Sequence, residues 1–354
     1  MLRVALDLLG ARTDAVALSG LSGAAFRTYW RCAADEPGSP PIWDADVPGV
    51  CAIDPLAAAA EAFAWRLLWY RNAPGHVAFQ FAMQAIDRAQ PVLSYGFAGE
   101  PEDVLIVGCD RRDESRDLLV LTRHAPEPLF FALADGPWPG TDDRGICVGL
   151  FDRVPPRLRR PLEASIHRAF RRAIWLARTP RLRARGTYRS GLAAYDAWID
   201  TLIRPGEARG ARAVAERIVA AYALPSPGVG AEWETIGIRH VLHRALTALA
   251  EARREGADFL RLHANLYPTG EAPACIDREA AALDEAASLW PAVVEGDARG
   301  FRFASVPEGL EACLRREETA RCLRLAAADH ARAVMELEAR VPPTEQELAE
   351  GGED

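Results

Sequence analysis

Glu102 and Asp103 stand side by side between Pro101 and the apolar run Val104–Cys109. Two carboxyls at the mouth of a buried strand can split their pKa values, so that one keeps a proton and serves as acid or base. A solvated loop leading into the strand is the plainer reading of the same residues. Cys32 follows Arg27 and Trp30 closely. A guanidinium can hold such a thiol as a reactive thiolate, whereas apolar neighbours make it a small packed hydrophobe, which is the commoner outcome. His124 adds an imidazole just past Leu121–Thr122. His240 and His243 share one helical face at i, i+3, a spacing that can bind a metal. His263 lies about 30 Å further along the same axis, and no Glu-x-x-His pattern recurs on a second helix. No metal and no cofactor is therefore expected.

The cationic residues carry a second kind of chemistry. All 42 basic side chains are arginine, and there is no lysine. Schiff-base, lysine-general-base and phosphate-loop-lysine mechanisms are excluded outright, as is attachment of pyridoxal phosphate. The arginines are unevenly placed. Residues 155–190 hold eleven against the single acid Glu163, a local charge of +10 that leaves −18 on the remainder of a chain of net −8. Arg168, Arg171 and Arg172 avoid the apolar stripe of their helix and are expected on its outer face. A solubilising face is the plain reading. The functional one is docking of an anion, for which a phosphopantetheine arm on an acidic carrier protein suits bidentate arginine contacts. Nucleic acid is disfavoured by the negative total and by the lack of aromatic residues interleaved with the arginines.

These groups need elements to position them. The 354 residues, 49% hydrophobic and 26% charged, are ordinary globular composition and enough for two domains. Seven scattered cysteines without a Cys-x-x-Cys pair fit reduced thiols in the cytoplasm better than a disulfide framework. The amino terminus interrupts its apolar stretch with Arg3 and Asp7, unlike a secretion signal. No run of about 18 apolar residues offers a membrane span. Helical spacing over 55–71 (Leu56, Ala60, Phe63, Leu67, Tyr70) and over 76–90 precedes apolar runs at 92–97, 104–109, 118–122 and 146–151. The polar connector 110–117 suits a hairpin, so the sheet is expected to be antiparallel. After Pro155-Pro156 the pattern turns helical throughout: 157–178, with the stripe Leu158, Leu162, Ile166, Phe170, Ile174 and Ala177, then 190–204, 207–223, 232–266, 275–290 and 308–340. The expected fold class is α+β. An antiparallel-sheet domain over 1–154 precedes an all-α domain over 155–342, and an acidic tail over 343–354 frays.

Three stretches carry a resemblance. They are Leu18-Ser-Gly-Leu-Ser-Gly-Ala-Ala-Phe-Arg27 with Trp30; Gln90-Pro-Val-Leu-Ser-Tyr-Gly-Phe97 leading to Pro101–Asp110; and Gly191–Asp200 with Ala252–Leu260. Together they resemble the bacterial family of the butirosin-biosynthesis acyltransferase H amino-terminal domain, which is similar to the C39 papain-like peptidases. The resemblance implies a papain-like first domain, a pocket near Arg27, Trp30, Ser94 and Tyr95, and an acyl carrier protein as partner. Its catalytic pair does not carry over. The family's chemistry needs a cysteine at the start of the first helix, and none precedes Cys32. Either the nucleophile is lost or an upstream start is missing. Where the family's histidine would open its strand stand Glu102-Asp103-Val104, and a carboxylate would oppose a thiolate rather than pair with it. His124, shifted from the position of the residue that orients the histidine, is the remaining weak candidate.

The expected function is a catalytically degenerate papain-like pseudoenzyme, a binding or accessory protein of bacterial specialised metabolism. An acyl carrier protein-dependent acyl- or amide-transferase is the alternative, and a helical dimerisation protein the third reading. The expected partner is a carrier protein or a small-molecule ligand, with a homodimer left open and no membrane.

Overall fold

The computed structural model describes residues 1–31, 55–95, 104–110, 117–122, 129–131, 146–184, 186–203, 232–290, 294–297, 300–303 and 309–343. The chain divides into two compact units that interleave in sequence: Met1–Ser22 with Asp54–Ser165, and Gly23–Ile53 with Ile166–Asp354. The first unit ends at Ser165, eleven residues past the expected boundary at 154. A short N-terminal segment also belongs with the second unit, because its partners there are supplied by distant helices.

The first unit opens with α1 (Leu2–Leu8) and α2 (Ala15–Ser22), followed by α3 (Pro55–Ala62). Its sheet strands are β2 (Trp65–Ala73), β3 (Val92–Tyr95), β4 (Val104–Asp110), β5 (Asp117–Leu121), β6 (Leu129–Phe131) and β7 (Ile146–Arg153), with α4 (Gly75–Ile86) between β2 and β3. The six strands form one antiparallel sheet in the order β2-β7-β3-β4-β5-β6. Strand alternation sends Val92, Ile106, Val120 and Val148 to a layer with Ala78, Ala82 and Ala85 of α4. The neighbouring Leu93, Leu105 and Phe151 face a layer with Leu2, Ala5 and Leu6 of α1 and Ala59 and Ala60 of α3. Helices therefore cover both sheet faces, as period-2 alternation between two apolar layers requires. The mixed α+β class and the expected antiparallel sheet are present.

One expectation here is corrected. The helix expected over 55–71 ends at Ala62, and Trp65–Ala73 is strand. Ala64 takes a left-handed turn at φ 64°, and Trp65, Leu67 and Trp69 then share the α1/α3 face. The same residues match period 2 as well as 3.6, and their aromatic content favours the strand.

The second unit contains β1 (Tyr29–Arg31), α5 (Leu162–Arg178, of which the unit takes Ile166 onward), β8 (Arg181–Ala184), β9 (Gly186–Ser190), α6 (Leu192–Ile203), α7 (Glu232–Leu262), α8 (Ala272–Ser288), β10 (Val294–Asp297), β11 (Gly300–Phe303) and α9 (Gly309–Arg340). The all-α expectation is corrected. A three-stranded antiparallel sheet runs β1-β9-β8, and β10 and β11 pair antiparallel between the helices expected over 275–290 and 308–340. The α5 stripe is corrected too. Its buried face begins at Ile166, and Leu158 and Leu162 are exposed. The long helices α7, α8 and α9 pack around Leu242, Leu246, Leu249, Leu283, Leu323 and Ala326, with Trp198 and Leu202 of α6 completing the core. The helix expected over 207–223 lies outside the described residues. Among those described, no helix is long and apolar enough to cross a membrane.

Candidate functional site

Each long helix of the second unit carries a charged or polar residue within its apolar stripe, and three of these meet. On α7 the buried series Leu246, Leu249, Ala250, Ala257, Leu260 includes Arg253. On α8 the series Cys275, Ile276, Ala280, Leu283 includes Glu279, and on α9 Leu323, Ala326, Ala333, Leu337 includes His330. Helical periodicity turns all three inward at one level of the bundle, where Tyr195 of α6 and Thr28 join them. Arg253, Glu279 and Tyr195 have no exposed surface, and His330 and Thr28 have 1%.

The hydrogen bonds almost exhaust the group. Glu279 Oε1 accepts from Tyr195 Oη and from Arg253 Nε at 2.5 Å, while Oε2 lies 2.8 Å from His330 Nδ1. A carboxylate only accepts, so Nδ1 carries the proton. Arg253 Nη1 donates to the carbonyls of Ala25 (2.6 Å) and Arg27 (3.3 Å), and Nη2 donates to Thr28 Oγ1 at 2.5 Å. His330 Nε2 is the exception, a buried nitrogen without a partner among the described residues. Burial pushes the Glu279 carboxyl up. Arg253, His330 and the Tyr195 hydrogen bond outweigh it and hold the group down at about 2. Burial and the Glu279 charge push Tyr195 well above its ordinary value, and Arg253 stays protonated because Glu279 and Tyr195 overcome its own desolvation. The set is thus an ion pair with a neutral phenol, and the carboxylate orients an imidazole in the manner of a catalytic His–carboxylate pair. Its sealed position makes the present chemistry structural: it fixes the register of four helices.

A second contact fixes the same register. Trp290 Nε1 donates to Thr319 Oγ1 at 2.7 Å, and the steps Glu279 to Trp290 and Thr319 to His330 each span eleven residues, as an antiparallel pair demands. At the far end of α9, Arg178 holds Glu338 in a two-pronged ion pair (2.8 and 2.6 Å), Arg171 donates to Val341 O at 3.3 Å, and His167 Nε2 meets Pro342 O at 2.8 Å. Basic groups so placed satisfy the last carbonyls of the helix.

The residues expected from sequence to form a site are distributed as follows. Cys32, Glu102, Asp103 and His124 lie outside the described residues. Ser94 is wholly buried in the sheet of the first unit, and its hydroxyl has no partner among the described residues. Tyr95 pairs with Cys147 on β7. Arg27 and Trp30 belong to the second unit. There Trp30 is core: it stacks on Trp198 at 4.6 Å and 12°, and its Nε1 donates to Thr201 Oγ1 at 3.0 Å. The Arg27 guanidinium stands over the Tyr29 ring at 5.6 Å. Arg168 is exposed, while Arg171 and Arg172 are half-buried. Of the helix 232–266 histidines, His263 packs edge-on against Phe259, and His243 Nδ1 is buried without a partner.

Among the described residues one group has metal-ligand spacing, Glu285, Glu318 and Cys322, whose donor atoms lie within 4.8 Å of one another. Arg321 bridges both carboxylates at 2.6 and 2.7 Å, and burial pushes the Cys322 thiol up. An ion-pair network accounts for it.

Sequence reasoning missed the buried cluster. Its signal was present as one charged residue replacing an apolar one in each stripe, and Arg253 lies within Ala252–Leu260 of the resemblance. Neither a scan of protein families nor a search of curated proteins finds a match to this chain.

Proposed function

We propose that the chain is a binding or accessory protein of bacterial specialised metabolism, a papain-like unit lacking its cysteine–histidine pair joined to a helical unit, and that it docks an acidic acyl carrier protein. The observation that carries the reading is the division of labour on α5. Arg171 and Arg178 are spent on the end of α9, and Arg168 is turned to solvent. The helix-first order and antiparallel sheet of the first unit support the papain-like part. The cluster of Tyr195, Arg253, Glu279 and His330 supports a non-catalytic role, because the residue types best suited to acid–base work are consumed in holding the helices.

Arg168→Glu is the clean variant, since Arg171 also supports the α9 terminus. Binding of a phosphopantetheinylated carrier protein to the full chain is measured by calorimetry at low and at high salt. Affinity should fall several-fold with Arg168→Glu and weaken with added salt, as expected of exposed charge pairs. Absence of binding, or binding indifferent to both changes, overturns the proposal.

A further inference from the structure

The segment Ala24–Arg31 is held by the second unit as a bound peptide would be. Its carbonyls at Ala25 and Arg27 and its hydroxyl at Thr28 are read by Arg253. Its strand β1 adds antiparallel to the edge of β9, pairing Tyr29 with Ser190, Trp30 with Arg189 and Arg31 with Tyr188. Gly191 N donates to Thr28 O at 2.9 Å and extends that ladder. Trp30 is the anchor, stacked on one face by Trp198 and held at its edge by Thr201. A glycine makes room: a side chain at Gly256 would lie 3.1 Å from the Phe26 ring and 3.3 Å from the Ala25 side chain. Strand addition, carbonyl reading and a buried aromatic anchor are the parts of a peptide-recognition site.

The connectivity gives this site its occupant. The chain leaves the first unit after Ser22, supplies this strap to the second unit, and returns to the first at Asp54 before it enters the second unit again at Ile166. The strap is therefore a loan to the second unit from a chain that goes back, and every contact it makes would be satisfied identically by the same residues of another molecule. We infer that the helical unit contains a peptide cleft filled in cis by Ala24–Arg31, and that this strap is exchangeable with that of a second copy of the chain. Exchange of an identical element is a route to dimers that needs no new surface. The inference is independent of carrier-protein docking, which concerns α5.

The test uses two full-length variants. Trp30→Ala damages the strap and leaves the cleft intact, whereas Arg253→Met damages the cleft and leaves the strap intact. Each alone should be monomeric, and mixing them should give a 1:1 heterodimer in analytical ultracentrifugation, with the sound strap seated in the sound cleft. A fluorescent peptide of sequence Gly23–Arg31 should bind the Trp30→Ala chain saturably, and bind the wild-type chain at least tenfold more weakly, because there the cleft is filled. If Trp30→Ala does not fold, Thr28→Val, which keeps the anchor and removes one Arg253 contact, replaces it in both measurements. Folded variants that neither form the heterodimer nor bind the peptide overturn the inference.

Discussion

The two units solve one problem by different means. In the first, the described core is apolar on both sides of the sheet, and hydrogen-bonded register between β2, β7, β3, β4 and β5 decides which side chains face which layer. A slip by one residue would turn each strand inside out, so backbone pairing supplies the specificity. In the second unit, a helix that slid along its axis by whole turns would still turn an apolar stripe toward its neighbours. There the sealed Arg253–Glu279–His330–Tyr195 group sets the level at which the helices meet. Unique packing comes from the backbone in the sheet and from a few polar side chains in the bundle.

The largest expected effect breaks the bundle's side of that contrast. Glu279→Ala leaves Arg253 and Tyr195 buried without their acceptor, a loss of about 3–5 kcal/mol, and thermal or urea unfolding should show it. The same group should give an acid limb. Its pKa is lower in the folded chain, about 2 against 4.5, so its stabilisation is complete above pH 4.5 and is lost as pH falls from there toward 2. Glu279→Ala should flatten that limb, and an unchanged limb would remove Glu279 from the account.

On the sheet's side, Leu93→Ala removes a wholly buried side chain between Leu105 and Gly149 and should cost about 2–4 kcal/mol. It should leave the acid limb intact, which separates apolar packing from the ionic lock. The smallest effect is expected at the surface. Arg178→Ala opens a half-exposed pair with Glu338 and should cost less than about 1 kcal/mol, with sensitivity to salt. A larger loss in denaturant titration would mean that the end of α9 depends on this contact.

How much could be read in advance followed the range of each signal. The four strands beginning near 92, 104, 118 and 146 were legible because each is a short apolar run bounded by turn residues. The helices from 232, 275 and 308 were legible through sustained periodicity. The turn at Ala64 was not, because one left-handed residue decides between helix and strand and an alanine gives no warning of it. The strap was illegible for another reason. Trp30 and Thr28 find their partners at Trp198 and Arg253, far along the chain, so no local pattern marks them. Of the candidate pocket residues, Trp30 is core, and Arg27 is half-buried beside Tyr29. Arg253, Glu279 and His330 are illegible because each stands among other charged residues of its helix, such as Arg254, Arg278 and Arg332, and only the packing shows which one turns inward.

The eleven-residue interval shared by α8 and α9 has a consequence for the geometry of the pair. Eleven residues close three turns at 3.67 per turn, only slightly looser than the ideal 3.6, whereas a heptad needs 3.5. An interval that closes whole turns brings the two polar contacts to the same side of the pair, Trp290 lying two residues past the end of α8 at Ser288. Glu279–His330 and Trp290–Thr319 act as two pins between antiparallel helices. Between the pins, Leu283, Leu323 and Ala326 are held by core packing, and the count of residues between the pins is held by the two polar contacts.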